Sequence, residues 1–395
     1  MTLITDTETL RAFCNRQKSA EFITVDTEFM REKTYWPILC VLQIGGPDEE
    51  AAIDAQAEGI DLSPAYELFD DPHIMKVFHA ARQDLEIFFN LNGRLPEPVF
   101  DTQVAAMVCG FGDSVGYEQL ISRLTKARVD KSSRFSDWSL RPLSERQIQY
   151  ALSDVTHLRV AYQKLVNMLE ENDRVSWISE EMKTLTAIKT YDVDPMNTWR
   201  RIKGRIGRGK TLSVLRELAA WREREARRRD VPRNRVMRDE TLAEIANQSP
   251  TSAKELGKTR GLNAKTAESS YGDQVLKAIA TGVAVPQKDW PVPKDKPDIP
   301  RGLGPVMDIL KVYLKMVSED ANVASKLLAS SADIELIAAY GEKADVPALH
   351  GWRREMFGEG SLRLRNGEQS LAIKNQKVVL VDQNPQPPEI KETHQ

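Results

Sequence analysis

Asp26 and Glu28 stand two residues apart in a short apolar run, Phe22-Ile23-Thr24-Val25-Asp26-Thr27-Glu28-Phe29. The run is β-branched and aromatic and reads as a strand, in which side chains at i and i+2 share a face. Two carboxylates side by side in an apolar setting repel and lose hydration unless a cation lies between them. The pattern suits a hard-metal site with oxygen ligands; the plainer reading is a strand end reaching water. Further acids tip the balance. Asp84 falls early in a helical stretch, Ala80 to Leu91, and Asp154 follows Tyr150 by one turn inside a long helical one. Phosphodiester hydrolysis needs a doubly negative transition state stabilised and a water made nucleophilic. Two divalent cations about 3.5–4 Å apart supply both, and four acids are what such a pair requires. With oxygen as every candidate ligand, magnesium or manganese is favoured over zinc.

The elements that must position these residues follow from periodicity. Residues 1 to about 200 alternate strand-like and helix-like stretches, the pattern of an α/β domain. A second strand, Ile38 to Ile44, follows the first across a charged turn, and Ala51-Ala52-Ile53 is a weak third. Ser63-Pro64 opens a short helix with serine at the cap. Met75 to Phe78 is strand-like and runs at once into the helix that carries Asp84. Val99-Phe100 precedes a cap at Asp101-Thr102, and Tyr117 to Thr125 is another short helix. Ser144 to Leu169 is the clearest helix, with a capping box of Ser144 and Gln147. Its apolar face is Ile148, Leu152, Val155, Leu158, Leu165 and Leu169; Tyr150, Asp154 and His157 form a stripe beside it.

From Thr211 onward the pattern is helical: Thr211 to Arg229, Asp239 to Asn247, Thr251 to Leu256 and Asn263 to Ile279. Pro286 to Pro300 carries five prolines and reads as an extended linker. Pro305 to Val317, Val323 to Ala329, Ile334 to Tyr340 and a piece near Leu349 to Phe357 form a second helical unit, followed by irregular or hairpin structure over Leu362 to Val381. The polar segment after Pro385 has nothing to bury.

The 395 residues, 41% hydrophobic and 29% charged, describe an ordinary soluble globular protein of two or three domains. No signal-like N-terminus and no bilayer-length apolar run is present, and Cys14, Cys40 and Cys109 lack metal-type or redox-type spacing, so a cytoplasmic protein with reduced thiols is expected. The net charge of −3 hides strong segregation: between Arg200 and Arg238 fifteen basic residues face four acidic ones, a local charge of +11. That asymmetry suggests a polyanionic partner. On the helix from Thr211 to Arg229 the arginines oppose a leucine and alanine side, so Arg222, Arg227 and Arg228 are expected to touch nucleic-acid backbone. Lys131 and Arg141 are weaker candidates for a phosphate near the acids. Blander roles suit the rest: His79 and His157 as structural histidines, Asp101 as a helix cap, Trp138 as packing.

Val25-Asp26-Thr27-Glu28-Phe29, His79-Ala80-Ala81-Arg82-Gln83-Asp84-Leu85-Glu86 and Tyr150-Ala151-Leu152-Ser153-Asp154-Val155 resemble the three motifs of the DEDDy 3′–5′ exonucleases. Thr34-Tyr35-Trp36-Pro37, Phe100-Asp101-Thr102-Gln103 and Asp137-Trp138-Ser139-Leu140-Arg141-Pro142-Leu143 are closer still to the ribonuclease D family. The basic helical segment resembles an HRDC (helicase and RNase D C-terminal) domain, and Leu349 to Phe357 the end of ribonuclease D chains. The likeness spans nearly the whole sequence.

The resemblance implies an α/β exonuclease domain, a ribonuclease H-like, DnaQ-type mixed sheet flanked by helices, followed by two small all-α HRDC-type domains. The expected boundaries are 1–200 for the exonuclease domain, 207–287 for the first HRDC domain, 288–300 for a Pro-rich linker, 301–382 for a second HRDC-like domain and 383–395 for a disordered tail. It also implies roles: Asp26 bridging two Mg²⁺ or Mn²⁺ ions, Glu28 and Asp154 completing the first shell, Asp84 holding the second ion, and Tyr150 orienting the attacking water. The expected activity is metal-dependent 3′–5′ exoribonuclease action releasing 5′-mononucleotides, with tRNA precursors and other structured RNA 3′ ends as substrates and no membrane partner. A 3′–5′ exonuclease acting on DNA, or a non-catalytic RNA-binding scaffold, are the alternatives.

Overall fold

In the computed structural model, which describes residues 3–128, 130, 133, 135–204, 206–292 and 299–383, the β-branched and aromatic runs form the strands. A short strand β1 (Leu3–Ile4) and helix α1 (Thr7–Gln17) precede β2 (Phe22–Met30), β3 (Ile38–Gly45) and β4 (Glu50–Asp54). Then come α2 (Ser63–Phe69), β5 (Met75–Phe78), α3 (Arg82–Asn92), β6 (Val99–Asp101), α4 (Thr102–Val108), α5 (Tyr117–Thr125), α6 (Glu145–Glu171) and α7 (Val175–Leu185). The basic region folds as α8 (Lys210–Arg229), α9 (Arg233–Val236), α10 (Asp239–Gln248), α11 (Ala253–Leu256), α12 (Ala264–Ala267) and α13 (Ser270–Ala284).

The chain divides into two interleaved units. The first comprises Met1–Val99, Asp130–Arg159 and Lys183–Asp295. It holds five strands of a mixed sheet in the order β1-β4-β3-β2-β5, with β1–β4 and β2–β5 parallel and β4–β3 and β3–β2 antiparallel. Ile23, Val25, Val41, Leu42, Ile44 and Ile53 are almost wholly buried, so the sheet is covered on both faces. The same unit holds α8 to α13, whose own core gathers Leu215, Leu218, Trp221, Leu242, Ile245, Leu256, Val275 and Ile279.

The second unit comprises Phe100–Val129, Val160–Met182 and Lys296–Gln395. Its later helices are α14 (Gly304–Ala321), α15 (Ser325–Leu328) and α16 (Ser331–Tyr340). Arg174 binds the carbonyls of Val108 at 3.0 Å and Ala321 at 2.7 Å, and Trp177 stacks on Trp352 at 4.1 Å. After the helical turns ending at Arg365, β7 (Gln369–Lys374) and β8 (Lys377–Asp382) form an antiparallel hairpin, so this region is not all-α.

Several local expectations change. Ser63 is the first residue of α2, not its cap; Asp61 instead accepts from the Ser63 backbone N–H at 2.9 Å and hydroxyl at 2.6 Å. The single helix expected over Asn263 to Ile279 is two, each with its own cap. Asn263 accepts from the Thr266 N–H at 2.8 Å, and Ser269 accepts from the Tyr271 N–H at 3.3 Å. A Cβ on Gly272 would lie 1.9 Å from the Ala267 carbonyl, so only glycine permits that tight turn between α12 and α13. Of the expected linker, 293–298 lie outside the described residues, as do 384–395 of the expected tail.

Candidate active site

Asp26 and Glu28 project from β2 where it pairs with β3, Asp26 opposite Gln43 and Glu28 opposite Val41, and a bulge follows Glu28. Both are partly buried. Burial raises the Asp26 carboxyl above its ordinary range, and the Thr27 backbone N–H offsets only part of that.

Helix α6 delivers the next two residues. The Thr24 hydroxyl on β2 donates to the Val155 carbonyl at 2.8 Å, clamping α6 to the strand next to Asp154. The approach is close because β3 ends in glycine there: a Cβ on Gly45 would lie 2.5 Å from the Thr24 hydroxyl and 3.2 Å from the Val155 side chain. The Ser144–Gln147 capping box forms, with a Ser144 N–H to Gln147 bond of 3.0 Å and a Gln147 N–H to Ser144 bond of 3.3 Å. It fixes the start of the helix nearly three turns ahead of Asp154.

Asp154 is only 6% exposed. The phenol of Tyr150 is raised by burial first, then by the negative charges of Asp154, Glu28 and Asp26, and it donates a hydrogen bond to Asp154. Three of the four acids therefore act on one hydroxyl. That hydroxyl stays protonated at neutral pH and is available as a hydrogen-bond donor. Trp138, 2% exposed, packs 6.0 Å from Tyr150 over Cys40, Val41, Ala151 and Leu152. It is the packing residue expected. Arg141 holds that segment down: it binds Asp54 at 2.6 and 2.7 Å, the Trp138 carbonyl at 2.7 Å and the Cys40 carbonyl at 3.0 Å. Arg141 is thus committed to the scaffold.

Asp84 is the third residue of α3, where the helix dipole favours a carboxylate. Ala80, at φ +58°, holds a left-handed conformation in the turn from β5 into that helix. The Thr27 hydroxyl, between Asp26 and Glu28 in sequence, donates to the Asp84 carboxylate. Strand alternation points Thr27 away from its two acidic neighbours, so the bond ties Asp84 to the strand and not directly to Asp26 or Glu28. Among the described residues no three His, Cys, Asp or Glu side chains close into a metal cage. Asp26, Glu28 and Asp154 surround the Tyr150 hydroxyl with oxygen donors of the kind that suit a hard divalent cation, and Asp84 is fastened to the same strand through Thr27.

Replacing Tyr150 by phenylalanine removes the hydroxyl and keeps the ring against Trp138. We expect turnover to fall about a hundredfold with RNA affinity and pH profile unchanged; a variant within twofold of wild type would remove Tyr150 from the reaction.

The cations expected to hold a polyanion are placed unequally. Arg222 is a correction: its side chain is 6% exposed and turns inward, to the Met237 carbonyl at 2.9 Å and Asp239 at 2.7 Å. It cannot meet a backbone in solution, because it satisfies the turn between α9 and α10. Arg227 is half-buried, on Glu223 at 3.2 Å and the Tyr35 hydroxyl at 3.1 Å, with its guanidinium 5.8 Å from the Trp36 ring centre. Arg228 pairs with Glu225 at 2.7 Å and stays 70% exposed. Lys131 lies outside the described residues. Asp101 caps α4 by accepting from the Gln103 N–H at 2.8 Å.

A family profile described as 3′–5′ exonuclease matches residues 1–170, and one described as HRDC domain matches 211–279. The ribonuclease D of Granulibacter bethesdensis is 49% identical over 381 residues, 96% of each chain, and that of Jannaschia sp. is 48% identical over 96% of this chain and 99% of the relative. The crystal structure of Escherichia coli RNase D, described as an exoribonuclease involved in structured RNA processing, superposes with a TM-score of 0.79 at 30% identity, covering 93% of this chain and 98% of that one. Identity of this order along the whole length, on a fold that brings an acid-lined strand, α3 and α6 together, leaves one assignment: the chain belongs to the ribonuclease D family of 3′–5′ exoribonucleases.

Proposed function

We propose that Asp26, Glu28, Asp84 and Asp154 hold two divalent cations, Mg²⁺ or Mn²⁺, and that the enzyme releases 5′-mononucleotides one at a time from RNA 3′ ends. When bound, such ions stabilise charge on a phosphodiester and make water nucleophilic near neutral pH. The chain's own residues do the placing: Thr24 and Gly45 set α6 against β2, Thr27 steadies Asp84, and Tyr150, braced by Trp138, orients the attacking water. The observation that carries the reading is the convergence of Asp26, Glu28 and Asp154 on the Tyr150 hydroxyl.

The substrates are structured RNA 3′ ends, tRNA precursors first, gripped through the basic surface of the HRDC region. Residues 301–382 are a second HRDC-like module ending in the hairpin, and the domain bounds drawn from the sequence stand as part of this reading. Three buried free cysteines, raised by burial to about 12 for Cys14 and about 11 for Cys40 and Cys109, favour a cytoplasmic setting. Among the described residues no helix is long and apolar enough to cross a membrane.

A 3′-extended tRNA digested with Mg²⁺, with Mn²⁺ and with EDTA tests the proposal. Stepwise shortening with 5′-mononucleotides as products is expected with either ion, and none in EDTA. Internal cleavage products, or undiminished hydrolysis in EDTA, would refute it.

A further inference from the structure

We infer that three adjoining clefts form one RNA track along the first unit, from the start of α3 down the HRDC region. The inference rests on the exoribonuclease reading and adds the surface that holds the strand beyond the acids. The first cleft, about 240 Å³, opens between α3, the turn after β2, residues 190–193 and α8. Arg82, the first residue of α3 and two before Asp84, lines it. It shares Arg201 and Arg233 with a second cleft of about 760 Å³. That one shares Asn234, Arg238 and Glu240 with a third of about 630 Å³, which reaches Arg260. Shared lining residues place the three side by side along one surface.

The lining chemistry selects the ligand. The three clefts carry nine arginines against five carboxylates and, among the described residues, no lysine. A solubilising face would mix both cations; guanidinium alone suits bidentate contact with phosphate. The arginines also differ in how far they are committed. Arg222, Arg227 and Arg233 are tied to carboxylates of the scaffold, and Arg31 to Glu86 at 3.2 Å. Arg82, Arg201, Arg235, Arg238 and Arg260 are exposed and, among the described residues, form no ion pair. The clefts thus pair a fixed wall with five available guanidinium groups spaced along it. The surface offers a chain of phosphates successive contacts, and a mononucleotide only one.

The test compares wild type with R201A/R238A/R260A and with a charge-matched control away from the clefts, K254A/K265A/K277A. Binding of an oligoadenylate of about sixteen nucleotides is measured in EDTA across a salt series, so it reads out whether or not hydrolysis occurs. Single strands contribute about 0.7 to the salt slope per phosphate contact. The arginine variant should bind about tenfold or more weakly at low salt, with a slope shallower by about two. The control should stay near wild type in both. An arginine variant with unchanged slope, or a lysine control that loses as much, overturns the track. Failure of wild type to degrade RNA with Mn²⁺ sinks the exoribonuclease reading instead, and the binding series still decides the track.

Discussion

Asp26→Asn is expected to cut RNA hydrolysis by about a thousandfold or more while making the metal-free protein more resistant to heat. The first effect follows from charge. Burial raises the Asp26 carboxyl, and on the proposed reading the amide removes a ligand whose negative charge offsets that of the ions. Metal stabilisation of the transition state is worth several kcal/mol, and each 1.4 kcal/mol lost is about tenfold. The second effect has the opposite sign because the fold holds this carboxylate at a cost. Its folded value is raised above the unfolded one, near 3.9, so the folded state binds the extra proton. Wild-type stability in EDTA should therefore fall as pH climbs from the ordinary carboxylate range toward neutrality. The asparagine variant should lack that decline. Melting curves at about pH 5 and about pH 8 read the difference. Activity within tenfold of wild type would displace Asp26 from the centre of the reaction.

The acids were legible in the sequence because each has a local reason to be noticed: two carboxylates inside an apolar strand, one at a helix start, one a turn beyond a tyrosine. What arranges them was not legible. Thr24 and Thr27 look like ordinary strand residues, and only pairing across more than a hundred residues gives Thr24 its partner at Val155. Gly45 likewise gains meaning only from what packs over it. Arg222 shows the converse error. Helical periodicity divides apolar from charged positions, yet an arginine can point inward when a turn presents a free carbonyl and a carboxylate, and sequence spacing does not reveal the turn. Family membership decides among the three activities left open, in favour of the exoribonuclease.

The fold was read best where the signal is long and periodic. Tyr117–Thr125 and the start of α6 agree to within a residue. The first strand and helix, Leu3–Ile4 and Thr7–Gln17, are too short and too polar to stand out, although Asp6 accepts from the Thr9 N–H at 2.8 Å as an ordinary cap. The HRDC helices were expected to form a separate module. They have a core of their own and lie in the same compact unit as the sheet, and the turn after β2 plants Tyr35 against that core.

That junction supports the largest stability prediction. Glu223, on α8 and 1% exposed at its side chain, takes hydrogen bonds from the Tyr35 hydroxyl, from Arg233 at 2.8 Å and from Arg227 at 3.2 Å. Asp230, in the left-handed cap of the same helix, accepts from the backbone N–H groups of Tyr35 and Trp36 at 3.0 Å each. Burial opposes ionisation of Glu223, but the bonds from Arg233 and Tyr35 outweigh it and keep the carboxyl below its usual range. Glu223→Ala leaves two guanidinium groups facing one phenol with no anion between them. Breaking a buried pair from one side costs about 3–5 kcal/mol. Here Arg227 and Arg233 are 26% and 39% exposed, so water recovers part of that, and about 2–3 kcal/mol is expected. Tyr35→Phe, which removes one hydrogen bond, should cost about 1 kcal/mol. Since the Glu223 value is depressed in the fold, its contribution is present above the unfolded value, near 4.3, and is lost as pH falls through the acid range. The gap between wild type and Glu223→Ala in urea denaturation should be widest near neutrality and narrow toward about pH 4. A gap below about 1 kcal/mol at neutral pH would mean that the apolar core around Trp221, and not this carboxylate, holds the HRDC helices to the nuclease sheet.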